Sequence, residues 1–222
     1  MKSLNNELNQ NNVRVIESDS IKTVCIPQFL PIEQRDALYE AVCEEQEQFK
    51  SYNPVFSDVR TTTFLDLSSV GENKMKTILT EKAHKELSKR IVEKLPSLLE
   101  ALNIKPFIVS DIQLSFVNCP DGHYGVPHAD SINGLYDISI LYYFSSIPKV
   151  FRGGDLDVFA NDKSSSTGHG SEPVFTINFE DNLLIAFASN TFHGVTKVMS
   201  DSIDFKDNRF IAVGFLSSKK NS

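Results

Sequence analysis

Apolar and polar residues follow two different periods along this chain, and the change between them divides it. Leu38, Ala41, Val42 and Phe49 recur at helical spacing, with Glu44, Glu45 and Glu47 on the polar side. Pro31 suits the first turn of that helix. From Asn73 to about Leu95, the residues Met75, Ile78, Leu79, Leu87 and Ile91 share a second helical face. Pro96 is expected to interrupt this helix, with Ser97–Leu102 adding a short further turn. Ahead of both helices, Val13–Ile16 and Lys22–Ile26 read as short strands. The polar stretch Met1–Asn12 reads as a disordered lead-in. Lys50–Gly71 keeps no steady period and reads as a loop with irregular strands.

After Lys105 the period falls to two. Ile108–Cys119, Tyr136–Ser145, Gly154–Phe159, Pro173–Ile177, Leu183–Phe187, Phe192–Val198 and Arg209–Leu216 are short β-rich segments set apart by turn residues. No helix alternates with them, which argues against a doubly wound parallel sheet. They predict a mostly β fold with flanking helices, its strands closing into a jelly roll. The Ser/Gly-rich stretch Ala160–Glu172 reads as a mobile loop over this half. No linker separates the halves, so residues 1–222 read as one domain, with 13–104 supporting a core at 105–218.

Charge and cysteine usage narrow the function classes. A net charge of -7 and a pI near 5.3 argue against nucleic-acid and anionic-membrane partners. Cys25, Cys43 and Cys119 share no motif spacing and read as free thiols of a reducing cytosol. No apolar run approaches the ~20 residues that span a bilayer, and Met1–Asn12 lacks the apolar stretch of a signal peptide. A soluble cytoplasmic protein is expected, and its oligomeric state is left open.

The candidate chemistry lies in the β-rich half. In Tyr124-Gly-Val-Pro-His-Ala-Asp130, His128 and Asp130 are two apart, so a strand turns both to one face. His193 follows the apolar strand Leu183–Phe187. Alone, either histidine is more often a hydrogen-bonded core or turn residue, and Asp130 a turn cap. Together they supply two imidazoles and one carboxylate, the donor set of non-heme Fe(II) oxygenases, which leaves coordination positions open. A zinc hydrolase could use the same ligands. Arg209 alternates with Ile211, Val213 and Phe215 onto one face; it either snorkels at a strand end or points into a core and needs an anion there. Tyr143 shares a face with Ser139 and Leu141, where its hydroxyl either meets the same anion or packs.

In order and spacing these segments resemble the 2-oxoglutarate and Fe(II)-dependent dioxygenases, in the prolyl-4-hydroxylase-like branch. Gly122–Asp130 is similar to the proximal iron motif. Ile138–Phe144 and Gly153–Phe159 are similar to the next two strands, Asn182–Phe187 with His193–Val195 to the distal-histidine pair, and Asn208–Phe215 to the strand that binds 2-oxoglutarate. Cys25–Pro31 is similar to the usual approach to the first helix.

The resemblance implies a double-stranded β-helix, cupin-like, with N-terminal helices packed on one sheet. It implies Fe(II) on His128, Asp130 and His193. It implies 2-oxoglutarate held by Arg209 and Tyr143, with Asn118 at its chelating end and Ser139 on the same face; O2 is the oxidant and ascorbate a stimulant. No catalytic side chain beyond the metal ligands is implied. Asn118 stands where relatives often hold a tyrosine, and the insertion Met199–Asp207 separates His193 from Arg209 and makes Lys197 an alternative carboxylate partner. His84 and His169 are expected in solvent; His123 is expected exposed or beside substrate.

The implied reaction is hydroxylation of an unactivated C–H bond, of a prolyl or other residue in a protein or peptide. The alternatives are a free amino acid or biosynthetic intermediate as substrate, or a non-catalytic cupin-like metal-binding domain. Lys50–Gly71 and Ala160–Glu172 are the expected walls of the substrate site.

Overall fold

The two-residue period of the C-terminal half becomes the two buried faces of one sheet in the computed structural model, which describes residues 7–8, 13–51, 63–66, 78–131 and 134–218. The chain begins with β1 (Glu7–Leu8) paired to β2 (Arg14–Ser18), which turns into β3 (Ile21–Ile26). Asp19 and Ser20 make that turn at φ 51° and 69°, the left-handed pair that matches the twist of a two-residue hairpin. The rest of 1–12 lies outside the described residues.

Helix α1 (Ile32–Glu44) starts behind Pro31 and buries Arg35, Leu38, Ala41 and Val42. Two short strands follow, β4 (Lys50–Ser51) and β5 (Thr63–Asp66); the remainder of Lys50–Gly71 lies outside the described residues. Helix α2 (Ile78–Ala101) runs through Pro96 without a break. That overturns the expected interruption, and burial explains it. Leu87, Ile91, Leu95, Leu98, Leu99 and Leu102 form one seam on the core. The carbonyl that Pro96 leaves without a partner belongs to Val92, a residue 43% exposed.

Among the described residues ten strands follow: β6 (Val109–Cys119), β7 (Gly125–His128), β8 (Ile138–Phe144), β9 (Phe151–Arg152), β10 (Leu156–Asn161), β11 (His169–Ile177), β12 (Leu183–Ala188), β13 (Phe192–Val195), β14 (Met199–Ser200) and β15 (Arg209–Ser218). Among the described residues the larger sheet has the order β1-β2-β3-β12-β8-β15-β6-β5-β4. The smaller is β11-β10-β13-β7, and β9 and β14 form a separate ribbon. The two sheets face each other as a double-stranded β-helix.

Alternation along β8 sorts its residues into two cores. Ile138, Ile140, Tyr142 and Phe144 face the helices, with Leu38, Ile91 and Leu98 among their neighbours. Leu141 and Tyr143 face the barrel interior with Leu156, Val158, Ile185 and Phe187. All seven residues of β8 are buried, as a strand covered on both faces requires.

Ala160–Glu172 is not a loop throughout. β10 runs to Asn161 and β11 starts at His169, leaving a short turn pinned by Asp162, which accepts from the Ser164 hydroxyl at 2.5 Å and its N–H at 2.9 Å. At the other end of the barrel, Arg35 ties α1 to the strands through Asp181 at 2.6 Å and the Ser145 carbonyl. No described helix is long and apolar enough to cross a membrane.

Candidate metal centre and anion pocket

His128 ends β7, and β13 lies beside it with His193 in direct register. The two ring centroids are 4.5 Å apart. Asp130, two residues beyond His128, reaches both rings: Oδ1 is 3.5 Å from His128 Nε2, and Oδ2 is 3.7 Å from His193 Nε2. Ligand atoms of the three residues lie within 4.8 Å of one another.

The backbone fixes which nitrogen each ring offers. His128 Nδ1 is 2.9 Å from the Val126 carbonyl and His193 Nδ1 is 3.0 Å from the Thr191 carbonyl. A carbonyl only accepts, so Nδ1 carries the proton and the Nε2 lone pair is left for an ion. Burial opposes charge on Asp130, yet the His128 hydrogen bond, the field of His193 and the Ser139 hydroxyl hold its carboxyl below the usual range. Burial pushes His193 down. In His128 burial is outweighed by Asp130 and the Val126 carbonyl, and its pKa is raised.

Ser139 donates to Asp130 Oδ2 at 2.6 Å and lies 2.9 Å from the Ser189 hydroxyl. Ser139, expected on the co-substrate's face, has its hydroxyl on the Asp130 carboxylate. Ser189 carried no signal in the sequence, since a serine after a strand has no distinguishing pattern.

Deeper in the barrel, Arg209 opens β15 opposite Cys119 and is 0% exposed. Its guanidinium carbon lies 4.7 Å from the Tyr143 ring centroid and 5.6 Å from that of Phe179. Nη1 donates to Cys119 Sγ at 3.3 Å. Among the described residues, the buried Nε and Nη2 find no hydrogen-bond partner, and neither does the Tyr143 hydroxyl. Burial pushes the Cys119 thiol up despite Arg209, so it stays neutral and is no counter-ion. Tyr143 is pushed up to about 12 by burial, with Arg209 pulling the other way. A buried guanidinium without an anion is costly. Three unsatisfied donor groups on one spot are what a carboxylate would fill.

Glycines shape this pocket. Gly154, at φ +73°, lies so close that a Cβ there would overlap Arg209 Cδ and come within 2.7 Å of Nε. One strand joins the two groups. Ser139, which holds Asp130, and Tyr143, beside Arg209, are four residues apart on β8, about 13 Å at ~3.3 Å per residue.

Other expected residues fall elsewhere. Asn118 pairs with Phe210 and keeps the helix-facing register of Leu114 and Phe116, so Cys119 takes the inward position next to Arg209. Lys197 is exposed, so of the two expected carboxylate partners Arg209 is the buried one. His123 is buried, at 7% exposure, contrary to the exposed expectation. Val198 donates to its carbonyl at 2.8 Å, and burial with the Arg209 charge pushes its imidazole down to about 3. His169 is half-buried between Phe159 and Phe192, at 5.4 and 5.3 Å, rather than in solvent.

Residues 113–217 match the sequence profile of the 2OG-Fe(II) oxygenase superfamily. An uncharacterised PKHD-type hydroxylase of Synechocystis is 30% identical over 198 residues, covering 86% of this chain. The chain spans 61% of that relative's length. Among solved structures, a Trichoplax adhaerens prolyl hydroxylase in complex with a hypoxia inducible factor peptide superposes with a TM-score of 0.63 at 14% identity, over 88% of this chain and 83% of its own. A Pseudomonas putida prolyl-4-hydroxylase gives 0.59 at 16%, over 89% and 93%. The profile match and the fold agree with the resemblance read from the motifs.

Proposed function

Taking the match of residues 113–217 to the 2OG-Fe(II) oxygenase superfamily as premise, we propose that the protein is an Fe(II)- and 2-oxoglutarate-dependent hydroxylase acting on a prolyl or other residue of a peptide or protein. The observation that supports it best is the pairing of two features in one barrel. His128, Asp130 and His193 meet within 4.8 Å, and the buried Arg209 keeps two guanidinium nitrogens unbonded below them.

The donors present fit the group. Two neutral imidazoles and an ionised carboxylate on one side of an ion form the set that leaves room for a chelating co-substrate and O2. When bound, Fe(II) with 2-oxoglutarate supplies O2-dependent C–H hydroxylation coupled to decarboxylation to succinate and CO2. The protein's contribution is placement. His128 and His193 present Nε2 because the Val126 and Thr191 carbonyls hold their Nδ1 protons. Arg209 and the Tyr143 hydroxyl receive the far carboxylate, and Leu141, Ile185 and Ile211 keep water from the space around them. A zinc hydrolase or a bare metal-binding cupin would leave the Arg209 pocket without a use.

A peptide is the favoured substrate because the Trichoplax prolyl hydroxylase above was solved with one. His128, whose side chain is 42% exposed, marks the open side from which a chain could approach. The test is incubation with Fe(II), 2-oxoglutarate, ascorbate and a panel of proline-containing peptides. The reading requires succinate together with the gain of one oxygen atom in a peptide, both lost in Asp130→Ala. Oxygen gained only by free amino acids would move the substrate class; no succinate under any condition would refute the activity.

A further inference from the structure

The carboxylate of Asp130 is built into a chain of hydroxyls that reaches the other half of the ligand set. Ser139 Oγ sits 2.6 Å from Asp130 Oδ2 and 2.9 Å from Ser189 Oγ, and both serines are 1% exposed. Each hydroxyl has one proton. An ionised carboxylate only accepts, so the Ser139 proton goes to Asp130 and the Ser189 proton to Ser139. The chain therefore has one direction, Ser189 to Ser139 to Asp130.

The backbone around Ser189 fixes both ends of the site. Its carbonyl accepts from Ser131 N–H at 2.9 Å, one residue past Asp130, and its own N–H donates to the Asp137 carbonyl at 3.2 Å. Two residues on, the Thr191 carbonyl holds His193 Nδ1. The turn between β12 and β13 thus sets Asp130 and His193 against each other. Ser139 stands on β8 with Phe187 directly opposite it across the ladder.

Building on the hydroxylase reading, we infer that Ser139 and Ser189 are positioning residues that keep Asp130 a one-oxygen ligand to a divalent cation. The Ser139 hydroxyl occupies one lone pair of Oδ2, which also lies 3.7 Å from His193 Nε2, and so favours Oδ1, 3.5 Å from His128 Nε2, as the oxygen offered to an ion. A carboxylate free to use both oxygens would occupy a position that the co-substrate or O2 needs. Partners of ligating groups set metal affinity as well as orientation. No sequence motif carries this pair, because Ser139 and Ser189 are fifty residues apart and meet only through strand pairing.

The experiment titrates Co(II) into metal-free protein and follows its visible absorption. Ser139→Ala should weaken Co(II) affinity by ~10- to 100-fold, and Ser189→Ala should weaken it less in the same direction. Ser139→Thr keeps the hydroxyl and should restore wild-type affinity and spectrum. Ser189→Ala does not touch the carboxylate directly and preserves the test if Ser139→Ala misfolds. Wild-type affinity in both alanine variants would overturn the inference while leaving the hydroxylase reading intact. A wild type that takes up no Co(II) would overturn both.

Discussion

Gly154 and Arg209 are fitted to one another: the left-handed glycine at φ +73° leaves the space that the arginine's Cδ and Nε occupy. In the proposed reading, the two together set where a co-substrate's far end would lie.

Gly154→Ala should therefore damage binding and stability together. The added methyl meets Arg209, and an alanine at that φ costs ~1–2 kcal/mol in strain alone. Thermal melts should fall by several degrees, and 2-oxoglutarate affinity should drop ~10-fold or more. Gly122→Ala is the control: φ is +81° with nothing within 4 Å of a Cβ. It should lose stability and keep affinity.

Replacing Arg209 separates folding from function. Its guanidinium lies buried with Nε and Nη2 unbonded, so Arg209→Met should leave the ligand-free protein as stable as wild type or more so. The same variant should bind 2-oxoglutarate at least ~100-fold more weakly, having lost a charged two-point contact. Calorimetry with and without 2-oxoglutarate reads both effects. Arg209→Lys should not rescue binding, since an ammonium lacks the planar fork.

Much of this arrangement could be read from the sequence, and the parts that could not have definite causes. The alternation of Arg209, Ile211 and Val213 put them on one face of β15, because a two-residue period admits one partition, but that this face turns inward is seen only in the burial of Arg209. The interior position of Cys119 was missed in favour of Asn118. A single-residue change of register exchanges faces, and the register of β6 is set by pairing with β15 rather than by its own residues. Pro96 misled because local propensity favours a break there, while the leucine seam of α2 outweighs it. The strand at His169 was hidden by its polar Ser/Gly surroundings, and Ser189 by the absence of any pattern at all.

Acid sensitivity follows from His123. Its imidazole titrates at about 3 in the fold against ~6.5 when unfolded. Between those values the unfolded chain binds the extra proton, so stability is present above pH 6.5 and falls as pH drops toward 3, by up to ~1.4 kcal/mol per unit. Denaturant unfolding of metal-free protein at pH 7 and pH 5 should show this loss. His123→Gln should show a shallower dependence; an unchanged slope would place the acid-sensitive group elsewhere.

Asn182 should be a stability hot spot with no effect on metal binding. At φ +61°, its Oδ1 accepts from Leu30 N–H and from the Tyr142 hydroxyl, both at 2.9 Å, and its Nδ2 donates to the Leu30 carbonyl at 2.8 Å. Asn182→Ala leaves those buried groups unsatisfied and should cost ~3 kcal/mol, read as a lower urea midpoint with an unchanged slope.

The convergence of His128, Asp130 and His193 on one ion with a dicarboxylate anchored at Arg209 is tested most directly by optical titration without oxygen. Fe(II) and then 2-oxoglutarate are added to the purified protein. A weak visible charge-transfer band should grow only when both are present, and it should vanish in His193→Ala and need far more 2-oxoglutarate in Arg209→Met. A wild-type protein with no such band, or a band indifferent to both substitutions, would contradict the account.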